Sequence, residues 1–172
     1  SYYRKSHAIT QRDLGPEHFD NAVYYSNYAN CFLGQGNYLE ALHNYSEARD
    51  RYFKKFGKNH MNVLIATHNI AEAEYFLGNY QKALQYCEEG KEIAKKIFTE
   101  EEQIQASILE ISGLCKLEQG DLDSALSLFE RSLQIKQRKL DHGHPDFSYT
   151  YLGLGRIYME RKDYELALEN FD

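Results

Sequence analysis

The chain has 172 residues, 42% hydrophobic and 27% charged, with a formal charge of −6. That length supports a substantial core, while the acidic balance argues against nucleic acid, whose phosphates need Lys and Arg gathered on one face. No apolar run reaches the length of a membrane span, Val63-Leu64-Ile65-Ala66 being typical, so no membrane insertion is expected.

Residues 1–18 read as the tail of a helical repeat, because Tyr3 stands 42 residues before Tyr45, and Cys87 and Phe129 follow at the same interval. The chain opens inside that pattern without Met and stops at Asp172 inside another, so both ends are expected to be cut. From residue 19 the pattern is regular. Tyr38…Ala41-Leu42, Tyr80…Ala83-Leu84, Leu122…Ala125-Leu126 and Tyr164…Ala167-Leu168 recur every 42 residues. A period this constant marks an array in which each unit buries its apolar face against its neighbours. The expected units are 19–60, 61–102, 103–144 and a shortened 145–172, within one array over 1–172.

Each unit is predicted to be two antiparallel helices, at 61–77 and 79–97 in the second. Gly36, Gly78 and Gly120 fall where the first helix ends, with Lys162 in that place in the last unit. Asn37, Asn79, Asp121 and Asp163 follow, predicted N-caps of the second helices. Thr99, with Glu102 three residues on, is predicted to cap the third unit. Lys54-Lys55 and Lys95-Lys96 sit near predicted C-termini, where cations complement the helix dipole.

Three series of small residues mark close helix contacts: Ala29, Ala71, Gly113 and Gly155; Ala41, Ala83, Ala125 and Ala167; Ser6, Ala48, Gly90 and Ser132. Cys31, Cys87 and Cys115 follow no metal spacing and read as small buried hydrophobes in a reducing compartment, predicted to be the cytoplasm.

These positions resemble the tetratricopeptide repeat family: a small residue in the first helix, then an aromatic and an alanine three residues apart in the second. Glu74 and Lys116 occupy a slot that is aromatic in Phe32 and Tyr158. The 42-residue period exceeds the family's usual length of about 34. The long form is similar to the repeats of kinesin light chain, whose connecting loop tends to read Leu-Gly-Pro-Asp-His-Pro-Asp. Here the loops run Leu14-Gly15-Pro16-Glu17-His18-Phe19-Asp20, Phe56-Gly57-Lys58-Asn59-His60-Met61-Asn62 and Leu140-Asp141-His142-Gly143-His144-Pro145-Asp146. The resemblance implies an all-α fold: an α-solenoid of antiparallel helix pairs wound into a right-handed superhelix.

No constellation supports catalysis, and no cofactor or metal is expected. His18, His60 and His144 hold one loop position in three repeats, which a local structural role explains and a single metal site does not. Glu100-Glu101-Glu102 reads as dipole compensation at a helix start. Gly34-Gln35-Gly36 and Gly153-Leu154-Gly155 lack the strand-to-helix setting of a nucleotide loop.

The resemblance also implies that the first helices line a concave groove. Opposite the core set Tyr25, Tyr28, Ala29 and Phe32, the first unit offers Val23, Ser26, Asn27, Asn30 and Leu33 to it. The second offers Ile65, His68, Asn69, Glu72 and Tyr75, and the third Ser107, Glu110, Ile111, Leu114 and Leu117. The fourth offers Tyr149, Leu152, Arg156 and Met159. Asn30 and Asn69 match positions that contact peptide in many members of the family. A chaperone-type clamp for a terminal carboxylate is not expected, because Ser26, Ser107 and Ile111 occupy slots that need Lys or Arg. The expected partner is a protein or peptide held in the groove, with self-association through the ends as a further expectation. A regulatory domain of a larger enzyme or transcription regulator, and a spacer in an assembly, are the alternatives.

Overall fold

From Asn21 onward the described residues form eight helices, with no strand among them. They are α1 Asn21–Gly34, α2 Tyr38–Phe56, α3 Met61–Phe76, α4 Tyr80–Ile97, α5 Gln103–Glu118, α6 Leu122–Lys139, α7 Phe147–Glu160 and α8 Tyr164–Phe171. This computed structural model describes residues 9, 12–13, 15, 18, 20–141 and 143–171. The expected tail repeat, with Tyr3 and Ser6, lies largely outside the described residues, as do Leu14, Pro16, Glu17, Phe19 and His142.

Successive helices pack in chain order, and the first helices of neighbouring units also touch, α3 against α5 and α5 against α7. The result is an α-solenoid whose largest core cluster runs from Ala22 of α1 to Cys115 of α5, with smaller clusters at single junctions. Tyr45 and Ala41 of α2 pack with Ile70 and Ala73 of α3. Phe129 and Ala125 of α6 likewise pack with Leu154 and Ile157 of α7. The predicted small residues Ala29, Ala41, Ala48, Ala71, Ala83, Ala125, Ser132 and Ala167 are all buried.

Each first helix ends in the same two bonds. The amides of Asn37, Asn79, Asp121 and Asp163 donate at 2.9 Å to the carbonyls of Phe32, Glu74, Lys116 and Tyr158. The preceding residue donates to the carbonyl three back, as Gly36 does to Leu33 at 3.0 Å. This closure needs a left-handed residue. Gly36, Gly78 and Gly120 supply φ of 74°, 76° and 77°, and Lys162 adopts the same region at 64° despite its side chain.

The predicted caps need correction. Asp121 accepts from the Ser124 amide at 3.2 Å and Asp163 from Leu166 at 3.4 Å. Asn37 and Asn79 sit at the N-cap but make no side-chain cap bond. In Asn79 the side-chain amide instead donates to Glu74 Oε2 at 2.7 Å. Lys116 faces Asp121 at 3.4 Å in the equivalent place. The two slots that lack an aromatic ring therefore carry a polar pair across the turn. The third unit starts later than Thr99 suggests: Glu102 is the N-cap of α5, and its amide donates to Gln105 Oε1 at 2.6 Å.

The loop histidines act locally. Nδ1 of His18, His60 and His144 accepts from the amides of Asp20, Asn62 and Asp146 at 3.3, 3.1 and 3.2 Å. An imidazole thus takes up a free donor where α1, α3 and α7 begin.

Cys87 and Cys115 are buried, but Cys31 is exposed, which corrects the expectation for that thiol. Ala73, Cys115 and Ile157, at the same repeat position, are buried, Ala73 and Ile157 against the second helix of the unit before.

Candidate functional site: the groove along the first helices

The first helices are short of polar residues on one side and mixed on the other, so their packed face is apolar and their open face carries the chemistry. On that open side α3, α5 and α7 surround a cavity of about 190 Å³. His68, Glu72, Tyr75 and Phe76 come from α3, Ser107, Glu110, Ile111 and Leu114 from α5, and Tyr149 from α7. Eight predicted groove residues are brought together there: His68, Glu72, Tyr75, Ser107, Glu110, Ile111, Leu114 and Tyr149.

Arg156 stands at one edge. Its guanidinium donates to Glu118 Oε1 at 2.7 Å, and the Tyr75 hydroxyl donates to the same oxygen at 3.4 Å. The Glu118 bond raises the Arg156 pKa, and burial raises that of Tyr75.

Ser26, Asn27, Asn30, Leu33 and Asn69 do not line this cavity. Ser26 and Asn27 are half-buried on α1, and Leu33 packs against the junction core around Tyr45. Asn30 is exposed, yet its Oδ1 already accepts from the Tyr45 hydroxyl at 2.6 Å. Since Tyr45 is buried, this bond ties Asn30 to the junction core. Asn69 Oδ1 lies 3.1 Å from Nδ1 of His68.

Three third-unit residues are less open than the repeat pattern suggested. Glu110, Ile111 and Leu117 are buried. Glu110 is enclosed because Lys136, itself buried, donates to its Oε1 at 2.5 Å. Lys136 also donates to the Asp146 carbonyl at 2.7 Å and to Thr150 Oγ1 at 3.1 Å, while Thr150 donates to the same Glu110 oxygen. All three ammonium donors are thereby used, which is what a buried lysine requires.

The repeat alignment missed Phe76, Glu118, Lys136 and Thr150. Lys136 had a usable signal: Tyr52 and Ala94 hold its position in two other units, so a charge there implies a buried partner.

Glu72 is electrostatically distinct. Burial raises its pKa and His68 pulls it back down. The thiols show the opposite of activation: burial pushes Cys87 up to about 11 and Cys115 to about 12. Among the described residues no group of three or more His, Cys, Asp or Glu is placed to hold a metal ion, and no helix is long and apolar enough to cross a membrane.

The tetratricopeptide repeat profile matches residues 1–52, 21–96 and 104–172. The chain belongs to the tetratricopeptide repeat family, whose arrays generally serve protein–protein interaction. Its fold is that of the kinesin-light-chain-like repeat. It resembles BtubC (BKLC) from P. vanneervenii with a TM-score of 0.78 at 24% identity, over 98% of this chain and 67% of that one. It also resembles a putative kinesin light chain of nearly identical TPR-like repeats from Podosopora anserina, with a TM-score of 0.71 at 21% identity, over 98% and 82%. The apo form of RapI matches with a TM-score of 0.74 at 16% identity, over 98% and 45%. Among curated proteins it is 26% identical over 138 residues to a clustered mitochondria protein homolog of Candida albicans. That match covers 80% of this chain, which spans about a tenth of the relative's length.

Proposed function

We propose that the chain is a non-catalytic adaptor that holds an extended segment of a partner protein along its first helices, with one side chain anchored between α3, α5 and α7. The observation that carries this reading is the convergence of His68, Glu72, Tyr75, Glu110, Leu114 and Tyr149, from three repeats, on one cavity. Its volume of about 190 Å³ falls below the roughly 300–1,000 Å³ of small-molecule sites, and suits a single large side chain. The mixed lining matches peptide recognition, in which pockets for particular side chains give specificity. Buried thiols of raised pKa at Cys87 and Cys115 suit a reducing setting such as the cytoplasm.

A random-peptide display library selected on the chain tests the reading, with calorimetric titration of the selected peptides. Tyr149 is 70% exposed, so Tyr149→Ala removes a wall of the cavity without touching the core. Weakened binding to this variant supports the groove. Undiminished binding, or no selectable peptide, overturns it.

A second reading draws on the C-terminal end, where Tyr149, Tyr151, Leu152 and Phe171 line an open hollow of about 590 Å³. Exposed aromatic surface there suits self-association end to end. A concentration-dependent mass in sedimentation that Phe171→Ser abolishes supports it, and a constant monomer mass overturns it.

A further inference from the structure

Three carboxylates sit in or beside the cavity, and two have their own cation. Glu110 is paired with Lys136 and Glu118 with Arg156. Glu72 makes no hydrogen bond or ion pair among the described residues, although it is half-buried. The titratable groups around it are His68 on the preceding turn and Tyr45 across the junction. A half-buried anion with no cation bonded to it is costly to keep. The rings of Tyr75, Phe76 and Tyr149 line the same space, and aromatic faces attract cations.

Three kinds of side chain can be weighed as the occupant. An apolar one would strip the remaining water from Glu72 and leave its charge unpaired. An acidic one would place like charges together. A cationic one supplies the missing partner, and its methylene stem covers the apolar walls while the charged head reaches the carboxylate.

We propose that this cavity takes a Lys or Arg side chain of a partner peptide, paired with the Glu72 carboxylate and flanked by Tyr75 and Tyr149. The proposal rests on the groove-binding reading above and names its anchor. The chain's formal charge of −6 favours the approach of a basic segment.

The display selection decides it by composition. Selected peptides carry Lys or Arg at one fixed position, and replacing that Arg with citrulline, which keeps the shape and removes the charge, weakens binding to the unaltered chain about tenfold or more. Glu72→Gln lowers affinity for the Arg peptide by a similar factor and leaves affinity for its citrulline analogue nearly unchanged. Peptides without a basic residue, or an Arg peptide indifferent to both changes, overturn the cationic anchor. If such peptides still lose affinity on Tyr149→Ala, the groove reading stands without it.

Discussion

Gly113 of α5 lies so close to the ring of Phe129 of α6 that a Cβ would fall 2.8 Å from Cε2. Gly153 of α7 presses on the other side of the ring, so Phe129 has nowhere to retreat. The sixteen-residue spacing recurs as Ala29–Tyr45, Ala71–Cys87 and Gly155–Phe171. Gly113→Ala gains about 1 kcal/mol of helix propensity and costs about 1–3 kcal/mol in overpacking. A net loss of about 1 kcal/mol is expected in a denaturant titration. Adding Phe129→Cys recreates the Ala71–Cys87 pair, so the double variant is more stable than the two single effects sum to. Strict additivity would mean the methyl is accommodated elsewhere.

His60 caps α3 through the Asn62 amide and stacks on Phe56, with ring centroids 4.1 Å apart. Replacing it with Ala removes both, for a loss of about 0.5–2 kcal/mol. His60→Asn restores an acceptor without the ring and falls between the two in thermal melts. Equal stability of the Ala and Asn variants would show that the ring contact, and not the cap, is what matters.

Lys162 occupies the left-handed position that glycine fills in the other turns. An L-residue there costs about 1–2 kcal/mol, against roughly 0.5–1 kcal/mol of extra chain entropy lost by glycine on folding. Lys162→Gly therefore stabilises by up to about 1 kcal/mol, seen as a higher denaturant midpoint at unchanged slope. A lower midpoint would assign the lysine a favourable contact that outweighs its backbone.

Burial raises the Glu72 pKa in the folded chain, so the folded state holds that proton more tightly than the unfolded one. The stability this contributes is present below the unfolded carboxylate value and lost as pH rises through the raised folded value. Glu72→Gln keeps the shape without the charge. Its melting temperature exceeds that of the parent at pH 7, and the gap closes as pH falls below the unfolded value. A variant less stable at pH 7 would mean that the carboxylate has a favourable partner in the fold.

The array was legible because a single period governs both turn and core. The left-handed turns, the buried alanines and the helix pairs follow directly from residues 42 apart. The caps were harder, because Asn79 has two partners within reach and the buried Glu74 wins its amide. In the site, eight residues that the repeat register assigned to the groove, from three helices, line one cavity, but the register treats each unit alone. Asn30 is bound by Tyr45 because this unit has a hydroxyl at the ring position, where the later units carry Cys87, Phe129 and Phe171. The Lys136–Glu110–Thr150 contact joins different repeat positions from two units, which a single-unit alignment does not compare.

That last contact also makes the solenoid mechanically uneven. Between the second and third units, the junction rests on aliphatic packing around Leu64, Ile93 and Ile108, which tolerates small sliding. Between the third and fourth, an ammonium tied at once to α5, to α7 and to the carbonyl of Asp146 must break several directional bonds before the helices can shift. The array thus behaves as a coil spring of uneven stiffness, since Arg49 of α2 also braces the junction between the first and second units, donating to Thr67 of α3 at 3.0 Å and to Glu89 of α4 at 2.6 Å. Stretching or bending is taken up first between the second and third units, while α5, α6 and α7 travel as one body.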